Sequence, residues 1–264
     1  MVSCWKGVDP SQQVITRAVA NEKWPWIEVL WDVNIPEKGI YFFWDSDGLH
    51  LKSRDYDSRS SVHVDFLVGQ QARRLKAVSG EALTRAVGCQ KGFRPVVFDT
   101  TAGLGGDASV LANVGCEVFA IERNPLIAAL LADAVRRARE AELHWVSKFQ
   151  LIHQDARELL ASVNHGVVYL DPMFVKQRKS APNLAMQIFH DLPGTSDDSE
   201  FLLEAALDSG AARVVVKRPI KAPPLSGCAP QSEVCAKTVR FDLYPKRKLT
   251  ENDLISPGIQ GFGK

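Results

Sequence analysis

The chain has 264 residues, 45% of them hydrophobic, and a formal net charge of +1. It can bury a substantial core, which predicts one large domain with room for a smaller unit. No apolar run approaches the roughly 18 residues that span a membrane, and the start shows no apolar signal core, so we predict a cytoplasmic protein. The five cysteines and six histidines lack metal-ligand spacing, so neither a disulfide framework nor a metal site is expected.

The first predicted elements are short strands in an aromatic-rich segment between Trp24 and Trp44. Apolar runs at 27–31 and 39–44 precede a turn at 45–48, and 49–52 alternates in polarity, which indicates a small β unit built on a hairpin. The aromatic side chains either fill a small core, the interpretation we favour, or stack on RNA bases.

A helix, a turn and a second helix are predicted between Gln71 and Arg94. This segment carries a single acidic residue, Glu81, and six basic ones: Arg73, Arg74, Lys76, Arg85, Lys91 and Arg94. A run of charge is often only a solvated helix face. One this one-sided, directly before a glycine loop, also suits the neutralisation of phosphates beside an active site.

A glycine-rich loop follows the apolar strand 95–98 and leads into a helix. It begins at Asp99, and Gly103 and Gly105 allow a tight turn that a ligand can approach closely. The next strand ends at Glu122, about 20 residues on, where a carboxylate can accept both hydroxyls of a ribose. A nucleotide-like ligand is predicted, although the same spacing fits a dinucleotide fingerprint and such a turn can also merely close a strand onto a helix.

Strands and helices continue to alternate after Glu122. Helices are predicted at 125–138, 157–162 and 199–209, and strands at 149–153, 166–170 and 213–216. Two late strands, 234–237 and 239–244, have little chain between them and predict an antiparallel edge hairpin. The pattern predicts an α/β fold with a mainly parallel sheet and ligands at the carboxyl ends of its strands.

The sequence Asp171-Pro172-Met173-Phe174 directly follows the strand at 166–170, so it should face the same crevice as the glycine loop. An exocyclic amine on a base needs acceptors for its N–H groups and an aromatic plane for its ring. The Asp171 carboxylate, the Pro172 carbonyl and the Phe174 ring can supply these, and proline stiffens the loop. The simpler interpretation is an ordinary Asp-Pro turn after a strand.

These motifs resemble a known family. Asp-Pro-Met-Phe is similar to the signature of amino methyltransferases that use S-adenosylmethionine. With the stretches 99–107, 122–125 and 214–219, it resembles the bacterial 16S ribosomal RNA guanine-N2 methyltransferase family of the RsmJ/YhiQ type. The resemblance implies a Rossmann-like class I methyltransferase sheet. We predict an N-terminal α+β subdomain over 1–93 that docks RNA, a methyltransferase domain over 94–248, and a flexible tail over 249–264.

The resemblance also implies the roles of individual residues. S-adenosyl-L-methionine would be surrounded by Gly106, Asp107, Glu122, Arg123, Asp155, Ala156 and Asp171, and the guanine would meet 171–174. The partner would be 16S rRNA or the small ribosomal subunit, with phosphate contacts from Arg73, Arg74, Lys76, Lys176, Arg178, Lys179, Lys217 and Arg218.

Two alternatives stay open at this point. A nicotinamide-dependent oxidoreductase would use the same loop but needs a hydride-transfer site, for which the sequence offers no candidate. An inactive RNA-binding assembly factor would keep the fold without the chemistry.

Overall fold

The computed structural model describes residues 2–6, 29–32, 40–53, 55, 61–77, 81–172 and 198–255, the first two ranges as backbone alone. Its strands are β1 Val2–Lys6, β2 Val29–Asp32, β3 Ile40–Asp45, β4 Gly48–Ser53, β5 Val62–His63, β6 Val97–Asp99, β7 Val118–Glu122, β8 Phe149–His153, β9 Val167–Leu170, β10 Arg213–Pro219, β11 Ser232–Cys235 and β12 Val239–Pro245. Its α-helices are α1 Gly69–Lys76, α2 Ala82–Ala86, α3 Gly106–Asn113, α4 Pro125–Glu140, α5 Ala156–Leu160 and α6 Ser199–Asp208.

The larger sheet has seven strands in the order β11-β12-β10-β9-β6-β7-β8. The run from β8 to β10 is parallel, whereas β12 pairs antiparallel with both β10 and β11. This confirms the predicted mainly parallel sheet and its antiparallel edge hairpin. The chain order reverses between β6 and β9, which lie side by side at the centre. A ligand crevice is expected at the carboxyl ends of strands at such a point.

The central strands are apolar because helices cover both faces of the sheet. On one face, Leu111 of α3 and Leu131 of α4 join a core that reaches Val215 of β10. On the other face, Leu160 of α5 and Leu203 of α6 pack in a second core. The sheet therefore holds the loops at its carboxyl edge between two packed layers.

The N-terminal strands form a separate five-stranded sheet in the order β2-β1-β3-β4-β5. Tyr41 and Phe42 are buried, and Phe42 belongs to the same core as Leu131. For these two residues the core-filling interpretation is therefore confirmed. The sheet also docks through Asp133 of α4, whose buried carboxylate accepts from the backbone N–H of Leu49 at 2.9 Å. The predicted boundary at residue 93 stays a prediction, although one core spans both sides of it.

The first residues of the predicted flexible tail, 249–255, are instead held against the sheet. The Asp253 carboxylate is fully buried and accepts from the backbone N–H of Gly166 at 2.8 Å and from Arg247 at 2.7 and 2.8 Å. Its backbone carbonyl accepts from the N–H of Val96 at 2.8 Å. Asp253 therefore ties this segment to the amino ends of the central strands. The rest of the predicted tail, 256–264, lies outside the described residues.

Candidate active site

The glycine loop is fixed to the strands on both sides of β6. The N–H and Oγ1 of Thr100 donate to the Tyr169 carbonyl of β9 at 3.0 and 2.9 Å, and the N–H of Ala102 donates to the Ile121 carbonyl of β7 at 3.0 Å. Asp99, at the end of β6, is buried, and burial together with the charge of Asp107 raises the pKa of its carboxyl. The loop is thus fixed to β7 and β9 beside the point where the chain order of the sheet reverses.

Two glycines in this loop have left-handed backbone conformations. Gly105 has φ of +74°, and a Cβ there would lie 2.5 Å from Cδ1 of Leu131, so any side chain before α3 would be strained and would have to displace Leu131. Gly103 has φ of +53°, and within 4 Å its Cβ would meet a single atom, the carbonyl oxygen of Thr101 at 3.8 Å. Gly103 therefore leaves the space over the loop open, and Gly105 closes the loop onto the core.

Glu122 lies at the end of β7 with its carboxylate turned back toward the loop. It accepts from the N–H of Gly103 at 2.9 Å and from the N–H of Asn124 at 2.7 Å. Burial raises the pKa of Glu122, and these two hydrogen bonds oppose the rise. A further backbone hydrogen bond from Arg123 reaches this carboxylate, which offers about four lone-pair sites, so acceptor capacity remains for a hydroxyl.

Asp107, in the first turn of α3, is the centre of a buried charged cluster. Its carboxylate accepts from the Tyr169 hydroxyl at 2.5 Å, from Nζ of Lys217 at 2.7 Å and from the Arg74 guanidinium at 2.7 Å. Burial alone would raise the pKa of Asp107, but Lys217 and Arg74 hold it below its ordinary value. Lys217 contacts the carboxylates of both Asp107 and Asp171. Burial alone would lower the pKa of Lys217, but the negative charges of these two groups outweigh that effect and raise it.

Asp171 follows β9 directly and reaches the glycine loop. Its backbone N–H donates to Oγ1 of Thr101 at 2.6 Å, and its carboxylate accepts from Nζ of Lys217 at 2.8 Å. The Asp171 side chain is 37% exposed, against 7% for Asp107. Pro172, beside it, is buried. The acceptor predicted from the Asp-Pro sequence is therefore partly buried, keeps some exposure to solvent and lies against the loop.

A chain of ion pairs forms the far side of the site, beyond Glu122. Arg123 pairs with Asp198 at 2.5 Å, and Asp198 also pairs with Arg157 at 3.1 Å. Arg157 in turn pairs with Asp155 at 2.5 Å, and this hydrogen bond lowers the pKa of Asp155. Asp155 also begins α5 by accepting from the N–H of Arg157, and Ala156 is buried behind it.

The comparisons with known proteins agree with this arrangement. A family model described as "Putative SAM-dependent methyltransferase" matches residues 28–246. This chain belongs to that family. Proteins named "Ribosomal RNA small subunit methyltransferase J" from Yersinia pestis and Yersinia pseudotuberculosis are 44% identical over 208 residues, which is 76% of this chain and 81% of each relative. A crystal structure of a SAM-dependent methyltransferase from Neisseria gonorrhoeae is 29% identical, with a TM-score of 0.69, and the match covers 95% of this chain and 98% of that one.

Because this chain belongs to a family of SAM-dependent methyltransferases, its cofactor is S-adenosyl-L-methionine. This argues against a nicotinamide-dependent oxidoreductase, the first alternative left open by the sequence. The residues at the carboxyl edge fit S-adenosyl-L-methionine. The open space at Gly103 admits a ligand close to the backbone, and Glu122 offers a buried carboxylate to hydroxyls. At the opposite end, the Asp155 carboxylate is paired with Arg157 and 26% exposed. The assignment of Asp99, Gly103, Gly105, Gly106, Asp107, Glu122, Arg123, Asp155, Ala156 and Asp171 to cofactor contacts remains a prediction.

Three of the predicted phosphate contacts have internal roles. Arg218 is 5% exposed and donates to the Pro223 carbonyl at 2.6 and 3.0 Å. Lys217, its neighbour on β10, points to the opposite face and pairs with the site carboxylates. Arg74 pairs with Asp107 and also donates to the Gly106 carbonyl at 3.2 Å. Each of these groups already has partners within the protein, and the phosphate-binding role of the three residues stays a prediction.

The other predicted phosphate contacts divide into two groups. Arg73 and Lys76 are exposed on α1, whereas Ala72 and Leu75 of the same helix are buried. Lys176, Arg178 and Lys179 lie outside the described residues, as does Phe174.

Sequence reasoning missed several residues that hold the site together. Tyr169 bonds to Asp107, Thr101 bonds to Asp171, and Asp198 joins Arg123 to Arg157. A tyrosine within an otherwise apolar buried strand was an available signal, since a buried hydroxyl needs a partner. The roles of Thr101 and Asp198 had no local signal, because their partners are 70 and 75 residues away in the chain.

The described part of the chain shows neither a metal cluster nor a membrane-spanning helix. No group of three or more histidine, cysteine, aspartate or glutamate side chains there could hold a metal ion. None of the helices in these ranges combines the length and apolar character that crossing a membrane requires.

Proposed function

We propose that this methyltransferase transfers a methyl group from S-adenosylmethionine to the N2 amine of a guanosine in 16S ribosomal RNA of the small subunit. The observation that carries the proposal is the contact between Asp171 and Thr101, which holds an exposed carboxylate against the cofactor loop. The relatives named for the small-subunit RNA support the choice of RNA. Guanine itself comes from the family that the sequence resembles, because Asp-Pro-Met-Phe would serve any planar amine.

S-adenosylmethionine, when bound, supplies an electrophilic methyl group on a sulfonium centre. Glu122 would hold the ribose hydroxyls, and Asp155 would accept from the adenine amine. The backbone of the glycine loop approaches the ligand at Gly103, where no Cβ intervenes. These contacts fix the cofactor on a loop that β7 and β9 already hold in place.

Asp171 and Pro172 orient the substrate amine. The lone pair of a guanine N2 amine is delocalised into the ring, so hydrogen bonds from its N–H groups to the Asp171 carboxylate and the Pro172 carbonyl raise its nucleophilicity and aim it. The amine loses a proton once it carries the methyl group, so a strong general base is unnecessary. Positioning therefore supplies most of the rate.

The guanine must leave its stack to reach this edge of the sheet, and the Phe174 ring would compensate with stacking of roughly 1–3 kcal/mol. Phosphate contacts are assigned to Arg73 and Lys76, whose charges face solvent on α1, and to Lys176, Arg178 and Lys179. Such contacts position the RNA without reading its sequence. A cytoplasmic location, where ribosomal subunits are found, belongs to the same proposal.

Complementation tests this function. Cells that lack the gene would receive either the natural protein or the Asp171→Ala variant, and 16S rRNA from each would be analysed by nucleoside mass spectrometry. We expect N2-methylguanosine to return with the natural protein and to stay absent with the variant. If both proteins restore the mark, Asp171 has no part in catalysis. If neither protein restores N2-methylguanosine but both correct the defect of cells that lack the gene, the protein is an RNA-binding assembly factor and not an enzyme.

A further inference from the structure

A buried cluster of charge links the cofactor loop to the substrate acceptor. Lys217 of β10 joins two carboxylates of this cluster, because Nζ donates to Asp107 at 2.7 Å and to Asp171 at 2.8 Å. Asp107 lies in the first turn of α3 on the cofactor side, and Asp171 is the proposed acceptor for the substrate amine. One ammonium group therefore touches both halves of the site.

Asp107 has two further partners besides Lys217, although Lys217 has the larger influence on its ionisation. Arg74 already supplies a cation at 2.7 Å, and the Tyr169 hydroxyl supplies a further donor at 2.5 Å. Among the described residues, the cation in contact with Asp171 is Lys217. The Lys217 side chain is only 23% exposed and follows the three valines 214–216 on β10. Burial of an ammonium is costly unless it is paired, so the contact with Asp171 is part of what balances its charge there.

We propose that Lys217 is a positioning residue for methyl transfer, whose ammonium keeps the Asp171 carboxylate ionised and fixed against the cofactor loop. This inference rests on the function proposed above. An ionised carboxylate can only accept hydrogen bonds, as the N–H groups of the substrate require, whereas a protonated one turns an O–H donor toward them. Lys217 does not touch the reacting atoms, so its effect passes through Asp171.

The charges around Asp171 decide the direction of the pH effect. Lys217 from β10 and Arg74 from α1 favour the ionised carboxylate. Burial, together with the negative charge of Asp107, opposes ionisation and raises the pKa of Asp171. Asp99 of β6 and Tyr169 of β9 also face this cluster, and Asp171 in turn raises the pKa of each. Loss of Lys217 therefore leaves the opposing influences in place and moves the ionisation of Asp171 to higher pH.

Single-turnover methyl transfer, measured over a range of pH, separates this role from a merely structural one. The variants are Lys217→Met, which removes the charge, and Lys217→Arg, which keeps it. Lys237→Met is the matched control, because Lys237 is exposed on the turn of the edge hairpin. We expect the acid limb of the profile to move upward by about 1 pH unit in Lys217→Met. The limb should stay in place in Lys217→Arg and in the control.

A loss of rate in Lys217→Met that is equal at every pH would overturn the proposal, and so would an unchanged profile. A second readout needs no turnover. Carbon-13 labelling of the aspartate carboxyls allows Asp171 to be followed by NMR in the free protein, with Asp171→Asn identifying its signal. The midpoint of that titration should rise in Lys217→Met, and equal midpoints in the natural protein and the variant would contradict the inference.

The two readouts keep this inference distinct from the proposed function. If the natural protein transfers no methyl group to rRNA, the proposed function fails, yet the NMR titration still reports whether Lys217 holds Asp171 ionised. If transfer occurs and the titration does not move, the function stands and the role of Lys217 is refuted.

Discussion

Replacement of Gly105 by alanine should destabilise the protein by about 2–5 kcal/mol. The left-handed backbone, with φ of +74°, costs a residue with a Cβ about 1–2 kcal/mol. The new methyl group would also lie 2.5 Å from Cδ1 of Leu131, which is fully buried, and the overpacking adds about 1–3 kcal/mol. A typical domain is stable by only about 5–15 kcal/mol, so this is a large share.

Urea unfolding of Gly105→Ala measures this loss, and Gly92→Ala is its matched control. Gly92 has a nearly equal φ of +71°, but a Cβ there would meet no atom within 4 Å. The control should therefore lose only about 1–2 kcal/mol. The smaller conformational entropy of the unfolded chain is common to both variants and cancels in the comparison. Equal losses in the two variants would refute the argument that α3 begins at Gly105 because the core leaves no room there.

Four further outcomes are expected. Glu122→Gln turns an amide donor toward backbone N–H groups and loses a charged acceptor. Calorimetry should therefore show that S-adenosylhomocysteine, the cofactor product, binds about 10–100-fold more weakly. Unchanged affinity would exclude Glu122 from the ribose site. Asp253→Asn should cost about 1.5–3 kcal/mol at pH 7. Because Arg247 and two backbone donors lower the pKa of Asp253 in the folded protein, its contribution is complete above the unfolded pKa of about 3.9 and is lost as the pH falls below it. The difference in urea unfolding between the two proteins should therefore begin to narrow below about pH 3.9 and keep narrowing as the pH falls further. Arg73→Ala should weaken rRNA binding and lower the slope of log affinity against log salt by about 1, whereas Arg218→Met should leave that slope unchanged and lower the urea midpoint.

Local sequence was sufficient for the main features of the site. Glu122 could be located because a strand, a glycine turn, a helix and a second strand have nearly fixed lengths in a βαβ unit. Asp171 could be brought to the same edge because parallel strands place their carboxyl ends together. Both arguments need only the pattern of elements along the chain.

The charged cluster could not be predicted because it depends on which face each side chain takes. Lys217 and Arg218 are neighbours on β10, so the alternation of a strand sends them to opposite sides of the sheet. The sequence shows that they diverge, but not that Lys217 meets Asp107, 110 residues earlier. Arg74 posed the same problem on α1, where Arg73 next to it is exposed and Arg74 turns inward to Asp107.

The N-terminal unit shows a further limit of local reasoning. The hairpin of β3 and β4 was predicted because its turn sequence is strong and its strands are adjacent. Strand β1 pairs parallel with β2 and β3, so its partners are distant in the chain. Strand β5 has only two residues, too few for a periodic pattern. Buried Asp133, which anchors this sheet, lies on a helix far along the chain.

The most direct test of the central claim is transfer of labelled methyl groups in vitro. Purified protein and methyl-labelled S-adenosylmethionine would be incubated with small subunits and with free 16S rRNA from cells lacking the gene, followed by nucleoside mass spectrometry. The account predicts labelled N2-methylguanosine in at least one of these substrates, and none when Asp171→Ala replaces the natural protein. Label on another nucleoside, or no label while S-adenosylhomocysteine still binds, would contradict it.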